Sequence, residues 1–194
     1  APLGINKVKL LMDRGFYSSD NINAMLTNHY KFLIAVSTTL ADVKRMIKEY
    51  GSSMRNLDNY DTQHEVFCLT EKIDWFATKR SKKDDGEVQV TPRRMYMHLY
   101  FNHARAAEDE LRFMKRMATL RSELESDARV EAHEKAYSKY FKVSKVKGGR
   151  KVEIKHDVMQ EAQARFGFFA LMSNEIKDAR EALQLYRNRD VVEK

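Results

Sequence analysis

Cysteine is almost missing: Cys68 stands alone among 194 residues. An internal disulfide is therefore excluded, and a reducing cytoplasm is the expected compartment. No apolar run approaches the roughly 20 residues needed to cross a bilayer, and no signal-peptide pattern opens the chain, so no membrane partner is expected. Internal repeats and low-complexity linkers are also lacking. The six histidines show no metal-ligand spacing and Cys68 has no partner cysteine, which argues against zinc. Gly148-Gly149-Arg150-Lys151 lacks the spacing of a phosphate-binding loop, which removes the commonest nucleotide-binding signature.

What is present is an ordinary globular composition. Hydrophobic residues make up 43% and charged residues 32%, proportions that form a core rather than a disordered chain. The length suits one domain or a domain carrying a large insertion. The formal net charge of +7 favours a polyanionic partner through phosphate neutralisation and counterion release. Two stretches concentrate that charge: Lys79-Arg80-Ser81-Lys82-Lys83 and the segment 142–155. Each fits a DNA-holding surface or a merely solvated one. The chain opens Ala-Pro-Leu-Gly, without methionine, and stops at Glu193-Lys194 inside a helical pattern with no stop signal, so an excised segment is expected.

Residues 8–12 (Val-Lys-Leu-Leu-Met) form a short apolar run, closed by Asp13-Arg14-Gly15, and read as a buried strand. Ser18 or Ser19 can cap a helix through Ile22, Met25 and Leu26, and residues 32–36 (Phe-Leu-Ile-Ala-Val) make a second buried strand. Strand, helix, strand at this spacing predicts a βαβ unit in a parallel sheet. A helix over 40–50 follows. Strands are expected at 65–69 and 87–102, with Asp85-Gly86 as a hairpin turn, and a long, mostly helical stretch over 104–137. Gly148-Gly149 signals a hairpin between 140–147 and 150–156. Trp75, the only tryptophan, suits a packing role or base stacking. Residues 168–172 (Phe-Phe-Ala-Leu-Met) read as another buried strand, and 178–194 as the closing helix.

Asp13 would sit at the carboxyl end of a strand, the edge where ligands bind in open α/β sheets. It equally fits the start of a turn or a helix cap. Tyr186, Arg189 and Glu193 fall at i, i+3 and i+7, on one helix face. Together they offer a phosphate clamp beside a carboxylate, or a solvated face with an Arg–Glu pair.

The stretch Leu11-Met12-Asp13-Arg14-Gly15-Phe16-Tyr17-Ser18 resembles the second-aspartate block of bacterial insertion-sequence DDE transposases. Tyr186-x2-Arg189-x3-Glu193 is similar to the Y-x2-R-x3-E part of the signature called YREK. Gly167-Phe168-Phe169-Ala170-Leu171-Met172-Ser173-Asn174 resembles the strand leading into that helix. The resemblance covers nearly the whole chain and implies an α/β, RNase H-like core fragment (1–36 and 166–194), interrupted by a mixed β and helical insertion subdomain (37–165). It implies DNA strand cleavage and transfer at insertion-sequence ends, with Asp13 and Glu193 as catalytic, metal-binding carboxylates. Tyr186 and Arg189 become DNA contacts. Two divalent ions, normally Mg²⁺, belong to the complete site, and transposon-end and target double-stranded DNA, with a homodimer in the transposition complex, are the implied partners. None of residues 1–12 supplies the family's first aspartate, so this chain alone is expected to be inactive. The signature's final lysine would fall beyond Lys194. The alternative is a non-catalytic nucleic-acid-binding module with the 104–137 helix as a dimerisation arm.

Overall fold

In the computed structural model, which describes residues 9–80, 88–147 and 149–192, the first two apolar runs form neighbouring parallel strands. Strand β1 (Lys9–Met12) pairs with β2 (Lys31–Val36), Leu11 opposite Leu33. Helix α1 (Ser19–Thr27) connects them. The Ser18 hydroxyl accepts from the Asn21 amide at 3.1 Å, satisfying one of the free donors of the first turn. At the other end His29 takes a left-handed φ of 58°. The Tyr30 amide then reaches back to the Met25 carbonyl at 2.9 Å, which closes the helix as a Schellman turn.

Helix α2 (Ala41–Tyr50) follows, then β3 (Tyr60–Asp61), β4 (Val66–Arg80) and β5 (Val88–Phe101). Far along the chain come β8 (Phe168–Ser173) and α6 (Ala179–Val192). These strands form one six-stranded sheet in the order β1-β2-β8-β5-β4-β3. All three short apolar runs thus lie side by side, although β8 is remote in sequence. The sheet is mixed rather than parallel, because β8 runs antiparallel to both β2 and β5.

Two expectations shift here. Strand β4 extends over Val66–Arg80 rather than ending at residue 69, because Glu71, Ile73 and Trp75 alternate onto the face carrying α1 and α2. Glu71 accepts a 2.7 Å hydrogen bond from Arg45 of α2, and the Trp75 indole donates to Asn23 of α1 at 2.8 Å. These polar residues have partners on the covered face and break the apolar pattern without breaking the strand. The β4–β5 ribbon then pairs through Tyr96–Phe101 with β8. The chain accordingly divides into residues 1–101 with 168–194, and residues 102–167, so that β3, β4 and β5 belong to the sheet and not with the second unit. The turn at Asp85-Gly86 lies outside the described residues.

The opposite face of the sheet carries Leu33, Val66, Cys68, Tyr100 and Leu171 against Ile176, Ala179, Ala182 and Leu183 of the α6 segment. Two alanines let the helix backbone approach closely. Each fully buried large side chain here contributes about 1.5–3 kcal/mol.

The second unit has its own core. It comprises α3 (His103–Glu125), α4 (Glu134–Tyr140), the hairpin β6 (Phe141–Val146) and β7 (Gly149–Ile154), and α5 (His156–Gln163), the last of which the sequence pattern did not suggest. Met117, Leu120, Leu124, Tyr137 and Phe141 meet at its centre. The helical stretch breaks after Glu125, where Asp127 takes φ 58° and the apolar stripe has run out.

Candidate functional site

Asp13 follows β1 directly and precedes a single 3-10 turn, Arg14–Phe16. Its main-chain carbonyl closes that turn by accepting from the Phe16 amide at 3.1 Å. Its carboxylate caps nothing there, and α1 is capped by Ser18 instead. The Tyr186 hydroxyl donates to Asp13 Oδ1 at 2.9 Å, across 173 residues of sequence.

That contact follows from how α6 is seated. Asp178 begins the helix, its carboxylate accepting from the Glu181 amide at 2.9 Å. The buried Tyr100 hydroxyl donates to the Ala179 carbonyl at 2.8 Å and fixes the first turn against the sheet. Ala179, Ala182 and Leu183 then face inward, and the same i, i+3, i+4, i+7 stripe brings Tyr186 against the core cluster on which Leu11 and Ala35 also pack. The strand bearing Asp13 and the helix bearing Tyr186 pack on one core cluster, and the half-buried ring delivers its hydroxyl to the exposed carboxylate.

Of the four residues singled out in the sequence, Asp13 and Tyr186 are brought together. Arg189 lies on α6, and Glu193 lies outside the described residues. The Tyr186 hydroxyl, assigned to DNA by the sequence pattern, is engaged with Asp13. Among the described residues no group of three His, Cys, Asp or Glu side chains is arranged to hold a metal ion. A single carboxylate does not hold a pair of divalent ions, so the described residues do not by themselves form that centre.

Other titratable groups on this half of the molecule behave structurally. Cys68 is buried, and burial pushes its thiol up to about 11, which leaves it un-ionised and inert. His98 is fully buried between strands, its Nδ1 sharing a 2.8 Å hydrogen bond with the Thr70 hydroxyl. Burial lowers its pKa to about 4, against the opposing influence of the Ile176 backbone and the Asp178 carboxylate. Asp61 and His64, a buried pair that sequence spacing alone did not flag, meet at 2.7 Å. Burial works to raise the Asp61 carboxyl, but the His64 and Gln63 hydrogen bonds together hold it below its ordinary value.

The basic hairpin is less cationic than its sequence. Arg150 is hydrogen-bonded to Asp127, Lys151 pairs with Glu153, and Lys155 Nζ donates to the Ser138 carbonyl. In the other basic stretch, residues 81–83 lie outside the described residues. The chain matches no family model, no curated protein and no solved structure.

Proposed function

We propose that this chain is part of the catalytic domain of an insertion-sequence DDE transposase, in which β1, β2, β8 and α6 belong to an RNase H-like core and the residues between β2 and β8 are the insertion. The observation that supports it best is the Tyr186–Asp13 hydrogen bond. It joins the two sequence blocks that carry the resemblance, and nothing in local turn chemistry requires it. Two motifs chosen from opposite ends of the chain meet at one carboxylate, at the carboxyl end of a strand. On this reading Asp13 and Glu193 are metal-binding carboxylates for Mg²⁺, Tyr186 orients Asp13, and Arg189 grips a DNA phosphate.

The test uses the longer protein that the reading requires, one whose additional strand carries the first aspartate. With Mg²⁺, that protein cleaves DNA bearing the element's ends. Asp13→Asn and Glu193→Gln abolish cleavage and leave DNA binding nearly unchanged, whereas Arg189→Ala weakens both. Cleavage that survives Asp13→Asn overturns the proposal.

A second reading, a nucleic-acid-binding module that dimerises through α3, draws on one observation. Leu111 and Met114 are 57% and 49% exposed and, with Ala107 and Ala118, align on one outward face of that helix. Light scattering distinguishes it: a dimer that Leu111→Glu converts to monomer, together with cleavage indifferent to Asp13→Asn, favours the module.

A further inference from the structure

At the opposite end of the parallel strands from Asp13, where β2 begins and β8 finishes, there is a cleft of about 290 Å³ lined by Leu26, His29, Lys31, Arg93, Arg94 and Asn174. Three permanent cations and a histidine converge on it, and no carboxylate lines it. Arg93 and Arg94 are neighbours on β5 and point to opposite faces. Strand β8 pairs with β5 only as far as Ser173 opposite Tyr96, so β5 continues past the end of its neighbour, and both arginines line the cleft there. Asp74 stands opposite Arg94 in the β4–β5 register. Among the described residues, however, none of His29, Lys31, Arg93 or Arg94 closes an ion pair within 4.0 Å.

The wall is built rather than incidental. Asn174 uses both ends of its amide on the backbone, Oδ1 accepting from the Phe32 amide at 3.0 Å and Nδ2 donating to the Tyr30 carbonyl at 2.8 Å. This ties the β8 terminus to the start of β2 and holds Lys31 at the rim. His29 occupies the left-handed cap of α1, a position glycine fills without strain and at which other residues cost about 1 kcal/mol. Like charges gathered without counter-charges repel one another, and an anion in the cleft relieves that repulsion.

We propose that this cleft binds a phosphate group of a nucleic-acid backbone, with Arg93 and Arg94 as the main donors and Lys31 and His29 at the rim. Arginine suits this because its planar fork matches two phosphate oxygens at once. The site stands apart from Asp13 and does not depend on the transposase proposal. Asp13→Asn is expected to leave it unchanged, and its failure would leave the Asp13–Tyr186 reading intact.

The test is fluorescence anisotropy of a labelled DNA duplex titrated with the chain at several salt concentrations, beside nuclear magnetic resonance titration with inorganic phosphate. Arg93→Ala with Arg94→Ala should weaken DNA binding about tenfold and lower the log–log salt slope by about one, as for loss of one phosphate contact. A charge-matched control, Lys142→Ala with Lys145→Ala in the β6 strand, should cost clearly less. Both variants alter exposed residues, and unchanged thermal unfolding verifies the fold. Equal losses in the two variants mean that net charge alone binds DNA, and overturn the proposal. Phosphate-induced shifts at the cleft without any effect of the arginine substitutions on DNA binding overturn the nucleic-acid assignment in favour of a small phosphate ligand. No response in either experiment overturns the site altogether.

Discussion

Asp13 directs its carboxylate to Tyr186 rather than to the turn that follows it, which makes Tyr186→Phe an informative single-atom change. The hydroxyl lies at the rim of the core, so its loss should cost no more than about 1 kcal/mol of stability. If Asp13 works in a metal-dependent site, losing the group that orients it should lower cleavage about 10- to 100-fold in the complete enzyme. Unfolding curves and cleavage rates on the same variant separate the two roles, and a variant that loses stability but no activity would make the contact structural only. His98 carries a prediction of a different kind. Its folded pKa is about 4, below the ordinary value near 6.5 for an unfolded chain. As pH falls through 6.5 the unfolded state takes up a proton that the folded state refuses, so this group's contribution is fully present above that pH and shrinks down to pH 4. The total effect is about 3 kcal/mol at most. Urea unfolding at pH 7, 5.5 and 4.5 should therefore show a steeper decline for the wild type than for His98→Gln, and parallel declines would contradict the assignment.

Helix α6 owes its position to a few contacts near its start, and Tyr100→Phe tests the buried one. Removing the hydroxyl deletes its buried hydrogen bond to the Ala179 carbonyl, at a cost of about 1 kcal/mol, readable as a lower midpoint in thermal unfolding. Elements of this sort were partly legible in the sequence. The strands β1, β2 and β8 are continuous apolar runs that only a sheet covered on both faces accommodates, and α6 shows its inward stripe plainly. The full length of β4 was hidden because Glu71, Lys72 and Asp74 look like loop residues until Arg45 is seen opposite Glu71. Helix α5 was hidden because it buries only Ala162, too little for a periodic signal. The candidate site was legible at Asp13 and on the face of α6. The bond between Asp13 and Tyr186 was not, since contacts across 173 residues depend on how the helix packs and leave no local trace. The cationic cleft escaped for the same reason: Arg93-Arg94 reads as two exposed strand residues, and their convergence with Lys31 exists only because β8 stops at Ser173.

On the scale of the whole chain, the net charge of +7 is unevenly used. The hairpin arginine and several lysines have local partners, while the cleft cations have no ion pair among the described residues, so the surface that matters for polyanions cannot be located by counting basic residues. Connectivity at this scale is equally specific. The second unit, Asn102–Gly167, is inserted in the chain between the end of β5 and the start of β8. Phe101 of β5 pairs directly with Phe168 of β8, and one residue further out the Asn102 amide donates to the Gly167 carbonyl at 3.0 Å. The junction is thus a β-hairpin whose turn has been replaced by a unit with its own core around Leu120, Leu124, Tyr137 and Phe141. Replacing Asn102–Gly167 with a two-residue Asn-Gly turn should therefore leave the sheet intact, because such a turn matches the twist of antiparallel strands and removes the entropy of closing a long loop. The shortened chain should unfold cooperatively in urea, retain its strand signal by circular dichroism, and keep the dispersed amide resonances of a packed core. The excised second unit should fold by itself as a mostly helical species, marginal in stability because of its small core. A shortened chain with strand signal but no cooperative transition would show instead that β5 and β8 need the second unit to hold their register.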